Sequence, residues 1–403
     1  MEYLRPTKLA YRLGLGILLV AGIIGIMLRS HYLFTIPGFL LKNWLHAHSH
    51  ITFLGWVFLG IIASLNYHFR NDPDFPHKKF ILLIWMTVVA NAGMLISFPV
   101  QGYGPVSIFF SAFHMALGIY AYLLYRKFLN KDKSFGSKMI RSAFIFMMLS
   151  GIGPVALGPI IAMGYKDTYW YDFAVYFYLH FQYNGWFTLA LFGIVFLSLD
   201  ISNIHPVWLY IINISIIITY LLSTLGTRPN IWVYYVAGLG ALLQIISFIY
   251  LLILILKNHR KFLVIGRSYT NLLLLISLMA FETKLYLQFF STIPPIADWA
   301  LHSRNIIIAY LHFILLGFVT SFLLGWWSRI MYAKDSFLFS LATYLYLIGL
   351  AVIESTLLLY ALGVFRNYVI PYHLLLVFSI LLTIGILFFL IESLRNHERY
   401  DVR

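Results

Sequence analysis

Three histidines stand in the same local pattern at three places in the chain. His50, His180 and His312 are each followed, after four residues, by a glycine and then by a large aromatic residue. The segments read AHSHITFLGW, FYLHFQYNGW and AYLHFILLGF. A neutral imidazole is a common metal ligand, and a glycine lets a flat macrocycle or another helix approach the backbone closely. The pattern therefore predicts three equivalent histidine-bearing segments and a bound metal cofactor.

Other residues belong to this pattern or stand beside it. Its glycines and aromatic residues are Gly55, Trp56, Gly185, Trp186, Gly317 and Phe318. His46 and His50 are four residues apart and share one face of a helix, whereas His48 points elsewhere. We therefore expect His46 or His50 to be the ligand in this segment, and the sequence leaves both open.

The elements that position these histidines are transmembrane helices. Hydrophobic residues make up 61% of the 403 residues and charged residues only 10%, whereas a soluble domain is about half apolar and a quarter charged. Stretches of about ten alternating residues are absent, so helices are the spanning elements that fit. The chain has no cysteine, which excludes disulfides, thiolate metal sites, iron–sulfur clusters and covalent haem attachment.

Twelve stretches are long and apolar enough to cross a bilayer, which takes about 20 residues each. We predict spans 1 to 12 at 11–29, 44–67, 79–99, 105–126, 140–164, 170–199, 205–225, 231–256, 268–290, 305–328, 337–362 and 371–394. The first stretch lacks the small-residue cleavage site of a signal peptide. The fold class is therefore all-α, a polytopic membrane protein of twelve helices.

The distribution of basic residues predicts the orientation. With the N-terminus inside, the inner segments hold 21 of the 28 Lys and Arg residues, from Arg5 to Arg403. The outer segments hold Arg29, Lys42, Lys166, Arg228, Arg304 and Arg366. By the positive-inside rule both termini are cytoplasmic, in a bacterial-type inner membrane. The net charge of +14 thus reflects topology, and nothing supports nucleic-acid binding.

The histidine segments fall on spans 2, 6 and 10, with separations of 130 and 132 residues between the histidines. Each interval contains four spans, which predicts three four-helix units around a pseudo-threefold axis. We place these units at about 1–135, 136–265 and 266–403, within one membrane domain.

Further ionisable residues lie inside the spans, in the predicted outer half where the three histidines also lie. They are His114, Glu282, Lys284, Glu354 and His373. A charge at the centre of a membrane helix costs roughly 2.5–3.5 kcal/mol on insertion scales, so each residue is a functional candidate. Their common depth predicts one shared polar layer. For His114 or His373 alone, a satisfied hydrogen bond between helices is the simpler interpretation.

Twelve spans, no cysteine, and histidines on spans 2, 6 and 10 resemble the catalytic subunit (subunit I) of the haem-copper oxidases. The nearest branches are the C-type oxidases and the nitric oxide reductases. The resemblance covers the whole chain in topology and the three histidine spans in residues. It implies a low-spin b haem held between a histidine of span 2 and one of span 10. Segment 310–318 resembles the family's His-x-His and Leu-Gly-Trp motif, which makes His312 the ligand on span 10.

On span 2 the resemblance also leaves two ligands open. His46 fits the family's distance to the inner end of the helix, and His50 fits the internal repeat. Gly55 and Gly317 would border the macrocycle. The haem propionates would pair with basic residues at the outer rim, for which the candidates are Arg304, Lys284, Lys42 and Arg29.

The family's reaction centre is less well matched. Its high-spin haem ligand is replaced by Tyr310, and only His180 matches the second metal's ligands, because segment 222–225 of span 7 lacks the family's histidine pair. We therefore do not expect copper. The residues left for a reshaped second pocket are His48, His114, Tyr310, Glu282 and Glu354.

The sequence thus predicts a haem-binding membrane protein for electron transfer or sensing, in which the oxygen-reducing centre is lost. If the protein is an enzyme, it is an oxidoreductase of the terminal oxidase or nitric oxide reductase type. Without a soluble cytochrome domain it would need a respiratory partner subunit, a c-type cytochrome or quinol as electron donor. The alternative is a transporter or channel with a polar site in the outer half of the bundle.

Overall fold

The computed structural model describes residues 4–201, 204–332, 334–365 and 369–395. Across these ranges the chain is helical and contains no strand. Twelve helices are long and apolar enough to cross a membrane, so the predicted all-α membrane protein with twelve spans is confirmed. Arg366, Arg399 and Arg403 enter the charge distribution described above but lie outside the described ranges.

The twelve spans begin and end close to the predicted positions. Spans 1 to 12 are Arg5–Ser30, Leu41–Phe69, His77–Gln101, Pro105–Lys131, Phe135–Ala162, Tyr169–Leu199, Val207–Thr227, Ile231–Lys257, Ser268–Phe290, Arg304–Met331, Phe337–Ala361 and Ile370–Leu394. The largest difference is at span 1, which begins at Arg5 instead of residue 11. Charged first turns lower the local hydropathy without preventing a helix, because Lys and Arg are good helix formers.

Two short helices lie between spans. His259–Phe262 follows span 8, and Pro294–His302 connects spans 9 and 10. The second begins with two prolines, whose fixed φ suits the first helical turn. Hydropathy alone does not indicate either helix.

Spans 2, 6 and 10 each contain a π-helical segment. These segments are Ile51–Val57, Phe181–Phe187 and Phe313–Thr320. A π-helix bonds each N–H to the carbonyl five residues earlier, which widens the turn, and such segments are rare and frequently lie at functional sites. The three spans that share the histidine pattern therefore also share a local backbone geometry.

The chain divides into two compact units. Unit 1 consists of residues 1–124, 264–277 and 315–403, and unit 2 of residues 125–263 and 278–314. The division falls within spans 4, 9 and 10. The three four-helix units suggested by the histidine repeat stay a prediction.

Unit 1 is held together by close helix contacts at small residues. A Cβ added to Gly349 of span 11 would lie 2.7 Å from the Leu382 Cβ of span 12. Span 1 packs on span 12, and Arg12 Nε donates to the Ser393 carbonyl at 2.8 Å. Lipid is as apolar as the side chains, so helices in a membrane associate mainly through such close packing and interhelical hydrogen bonds.

A buried ion pair fixes the start of span 9 within unit 1. Arg267 Nε donates to Asp335 Oδ1 at 2.6 Å, and the two side chains are 2% and 7% exposed. Asp335 Oδ2 accepts from the backbone N–H groups of Tyr269 and Thr270. Asp335 thus caps a helix to which it does not belong, and an acidic group is favourable at that end of a helix.

Unit 2 uses the same packing between spans 5 and 6. A Cβ on Gly136 would lie 2.6 Å from the Leu197 backbone nitrogen, so only glycine permits this approach. Span 5 changes at Gly151, where one α-helical stretch ends and another begins at Ile152. Helix Pro294–His302 packs on spans 7 and 8 through Ala297.

Candidate functional site

Each histidine of the repeated pattern is the last α-helical residue before a π-helical segment. His50, His180 and His312 directly precede the segments that begin at residues 51, 181 and 313. The glycine of the pattern is the fifth residue of each segment and the aromatic residue is the sixth. The repeated histidine, glycine and aromatic residues therefore mark the π-helical segments of the three spans.

Side chains satisfy carbonyls inside these segments. Asn91 Nδ2 donates to the Leu54 carbonyl at 3.1 Å in span 2. In span 6, Thr188 Oγ1 donates to the Tyr183 carbonyl at 2.7 Å. In span 10, the Leu316 carbonyl accepts from the Tyr346 hydroxyl at 2.7 Å, within unit 1. These bonds offset the changed backbone pairing of the wider turn.

The tautomer of His50 in unit 1 is fixed by its own helix. His50 Nδ1 lies 2.9 Å from the His46 carbonyl, which can only accept, so Nδ1 carries the proton and Nε2 carries the lone pair. The ring is half-buried and its centroid lies 4.4 Å from that of Phe98. A histidine that ligates a metal usually donates its other N–H to a carbonyl in this way. His50 therefore keeps a lone pair on Nε2, as a metal ligand must, although its bond to the carbonyl four residues earlier is one that His302 and His373 also make.

His46 and His48 face different neighbours. The His46 ring lies 4.5 Å from the Tyr103 ring, which His50 also contacts, so His46 and His50 share one face of span 2. His48 Nδ1 donates to the Ala21 carbonyl of span 1 at 2.9 Å, beside Gly25. His48 thus faces span 1, away from the face of span 2 that His46 and His50 share.

Gly55 serves close helix packing. A Cβ at this position would lie 2.6 Å from Ile17 Cγ2 of span 1 and 2.8 Å from Asn91 Oδ1 of span 3. Trp56 is fully buried, and its Nε1 donates to Thr320 Oγ1 at 2.9 Å. The approach of another helix is one of the two roles that the sequence suggests for this glycine.

The other candidates of unit 1 are dispersed. His114 is buried with its ring edge against Phe58, and its Nε2 has no hydrogen-bond partner. Glu354 of span 11 is half-buried, and its Oε1 also has no partner. His373 is exposed and bonds only to its own helix, at the Val369 carbonyl. Arg29 is half-buried and Lys42 is exposed.

His180 in unit 2 is bonded at both ring nitrogens. Nε2 lies 2.8 Å from the Ile216 carbonyl of span 7, so Nε2 carries the proton. Nδ1 therefore carries the lone pair, and it accepts from Asn184 Nδ2 at 3.1 Å. The ring is 1% exposed. His180 thus has the opposite tautomer to His50.

Lys284 of span 9 joins the same hydrogen-bonded chain in unit 2. Its Nζ donates to Asn184 Oδ1 and lies 5.2 Å from the Phe281 ring centroid and 6.0 Å from that of Tyr183. Lys284 and Asn184 are each 1% exposed. No carboxylate among the described residues pairs with Lys284. A buried ammonium normally requires a paired charge or functional use.

The remaining candidates of unit 2 lie around this chain or apart from it. The rings of Tyr310 and Tyr183 are 6.1 Å apart. Glu282 is half-buried with no partner at Oε1, and Arg304 is exposed at the start of span 10. His312 is half-buried at the end of the α-helical part of span 10.

The sequence resemblance concerns a haem and a second metal, and the residues present fit the first and not the second. His50 offers a supported imidazole of the tautomer that a haem iron requires. A second metal does not fit His180, because both of its nitrogens are occupied. Within the part of the chain that the structure describes, no three His, Asp or Glu side chains come together at metal-binding distances.

Sequence reasoning did not identify Asn184, Asn91 or Gln288 as site residues. Asn184 connects His180 to Lys284, and Asn91 supports the π-helical segment of span 2. Gln288, one turn from Lys284, is 5% exposed, and its Oε1 has no partner. The available signal was an amide side chain inside an apolar span, where polar residues are costly and tend to be functional.

Comparison with known proteins identifies the fold. No protein-family model and no curated protein matches the chain. A solved cryo-EM structure of a heme-copper terminal oxidase dimer matches with a TM-score of 0.70 and 12% identity, over 98% of this chain and 85% of that chain. The protein therefore has a haem-copper oxidase subunit I-like fold, as the sequence resemblance implied.

Proposed function

We propose that the protein is a membrane electron-transfer or sensor protein that binds one low-spin haem b, with His50 as an axial ligand. The observation that carries the proposal is the hydrogen bond from His50 Nδ1 to the His46 carbonyl, which leaves the Nε2 lone pair for iron. The oxidase-like fold and the π-helical segment next to His50 support it. We propose His312, which the sequence resemblance predicts as the ligand on span 10, as the second axial ligand.

Two imidazoles saturate the iron, which favours electron transfer over oxygen binding. In this protein the His46 carbonyl orients His50, and Phe98 limits rotation of its ring. Arg29, Lys42 and Arg304 are the cations proposed for the propionates, because Lys284 is buried and bonded to Asn184. The electron donor in this proposal is quinol, a c-type cytochrome or a respiratory partner subunit.

We also propose that the standard oxygen-reducing centre is absent. By the sequence resemblance, Tyr310 matches the position of the family's high-spin haem ligand, and His180 uses both ring nitrogens in hydrogen bonds. The orientation with both termini in the cytoplasm of a bacterial-type cell belongs to this proposal as well, since it rests on the positive-inside rule.

Optical spectroscopy of the purified protein tests the haem proposal. We expect a pyridine haemochrome spectrum of haem b and a reduced-minus-oxidised spectrum with one sharp α band. His50→Ala should abolish the band, since it removes an axial ligand. His48→Ala should keep it, because His48 faces span 1 and not the face that His46 and His50 share.

His373→Ala is the matched control, because this exposed histidine bonds only to its own helix. Size-exclusion profiles and thermal unfolding should show that each variant is folded. A protein purified from haem-replete cells without haem would refute the proposal. Loss of the band in His46→Ala, but not in His50→Ala, would transfer the ligand role to His46.

The second candidate function is a transporter or channel. It is favoured by the interruption of span 5 at Gly151, since broken helices often form substrate sites in transporters. A haem-free, well-folded protein that carries an ion or solute across liposomes would establish it.

A further inference from the structure

A chain of hydrogen bonds crosses the interior of unit 2 between spans 9, 6 and 7. It joins the side chains of Lys284, Asn184 and His180 and ends on the Ile216 carbonyl. The three side chains are each 1% exposed. These hydrogen bonds are therefore buried away from solvent within the described part of unit 2.

All donors in this chain point the same way. The Lys284 ammonium donates to the Asn184 carbonyl oxygen, the Asn184 amide donates to His180 Nδ1, and His180 Nε2–H donates to the Ile216 carbonyl. Aligned bonds polarise one another and are strengthened in a low dielectric. The amide oxygen faces Lys284, which is the orientation that stabilises a positive charge there.

The same geometry occupies the imidazole that would otherwise bind a metal. A metal ion needs a ring lone pair, and the only lone pair of His180 accepts the Asn184 amide. His180 Nε2–H donates to the Ile216 carbonyl of span 7, and the same carbonyl accepts from Thr219 Oγ1 at 3.2 Å. A histidine in this arrangement is a structural donor.

Lys284 brings an amino group that can carry a positive charge into the same interior. The Lys284 Nζ also lies near the aromatic rings of Phe281 and Tyr183. The face of an aromatic ring attracts a cation. Gln288 Oε1, one turn along span 9 on the same helix face, is buried and has no hydrogen-bond partner. A lysine buried within a membrane span is a functional candidate by default, because its burial is costly.

We propose that unit 2 carries an internal cation on its own side chain, the Lys284 ammonium, which is bonded to Asn184 and positioned through it by His180. His180 then positions the lysine and ligates nothing. The proposal does not depend on haem binding, because every contact behind it lies within unit 2.

The first test measures the coupling between Lys284 and Asn184. Asn184→Leu removes the side-chain oxygen that accepts from the ammonium and should lower the melting temperature clearly. In the Lys284→Met background the same change should lower it much less, because no ammonium is left to desolvate. Equal decreases in the two backgrounds would overturn the proposal.

The second test examines His180 directly and decides the matter if Asn184→Leu does not fold. Nitrogen-15 NMR of histidine-labelled protein should show the His180 ring neutral and protonated at Nε2, with the signal assigned by its loss in His180→Gln. Lys284→Met should shift this signal through Asn184. His373→Gln, at the exposed histidine, should leave it unchanged.

Copper content completes the test. After incubation with Cu(I) and washing, the native protein and His180→Gln should hold the same amount of copper per chain. About one copper per native chain that is lost in His180→Gln, or a metal-shifted His180 signal, would show that His180 is a ligand and would overturn the proposal. Copper retained equally in both proteins would support it.

Discussion

Gly55 illustrates how a single residue of the histidine pattern serves two purposes. It lies inside a π-helical segment, and its missing side chain makes room for Ile17 and Asn91 of neighbouring helices. Asn91 uses that proximity to donate to the Leu54 carbonyl at 3.1 Å. The glycine thus permits the contact that supports the unusual backbone beside His50.

Gly55→Ala should destabilise the protein by about 1–3 kcal/mol, the usual cost of overpacking. The added Cβ would lie 2.6 Å from Ile17 Cγ2 and 2.8 Å from Asn91 Oδ1, so both side chains would have to move. Reversible unfolding in mixed micelles measures the change.

Gly16→Ala is the matched control on span 1. Nothing lies within 4 Å of its added Cβ, so this change should stabilise the helix by roughly 0.5–1 kcal/mol. If Gly55→Ala were as harmless as Gly16→Ala, the close approach around Gly55 would not be tight in the membrane.

At this scale the sequence predicts some contacts and not others. The spacing of four residues correctly places His46 and His50 on one face and His48 on another. The bond between Lys284 and Asn184 joins residues 100 positions apart. No local pattern encodes such a pair, because it depends on how span 9 packs against span 6.

Among the elements, the spans follow from hydropathy because lipid requires a continuous apolar helix of fixed length. All twelve are therefore found near their predicted ends. The π-helical segments do not follow from hydropathy, since a π-turn and an α-turn bury similar side chains. The repeated pattern marks their places without revealing the change in hydrogen bonding.

The start of span 9 depends on a residue from another element. Arg267→Met should cost about 3–5 kcal/mol, because it leaves the buried Asp335 carboxylate without its charged partner. The unfolding free energy of the variant checks this value.

Arg228→Met is the control for this ion pair. Arg228 pairs with Asp298 at 2.8 Å, but the side chains are 74% and 42% exposed, so the loss should be at most about 1 kcal/mol. Similar losses in the two variants would mean that Asp335 is accessible to water.

For the whole molecule, an even number of spans is what the proposed orientation, with both ends of the chain on one side of the membrane, requires. Which side that is rests on the distribution of Lys and Arg. The fold itself was recognisable from the sequence because the number of spans and the places of the histidines along them can be read without an alignment, although the identity to a solved oxidase is only 12%.

The absence of native cysteine makes the orientation directly measurable. Lys166→Cys, in the predicted outer loop, should react with a membrane-impermeant maleimide in intact cells. Lys133→Cys, in the predicted inner loop, should react only after the cells are permeabilised. Both lysines are exposed, so the opposite pattern of labelling would invert the proposed orientation.

The π-helical segments also affect how the chain tolerates a change in its length. A π-turn holds one residue more than the α-turn that it replaces. Deleting one residue from Ile51–Val57 would convert that stretch of span 2 to an α-helix and leave both flanks in register. Elsewhere in the span, a deletion would rotate all following side chains by about 100°. Spans 2, 6 and 10 therefore each contain one segment in which a one-residue deletion is tolerated. A sequence with such a deletion would align with this one on both sides of a single gap.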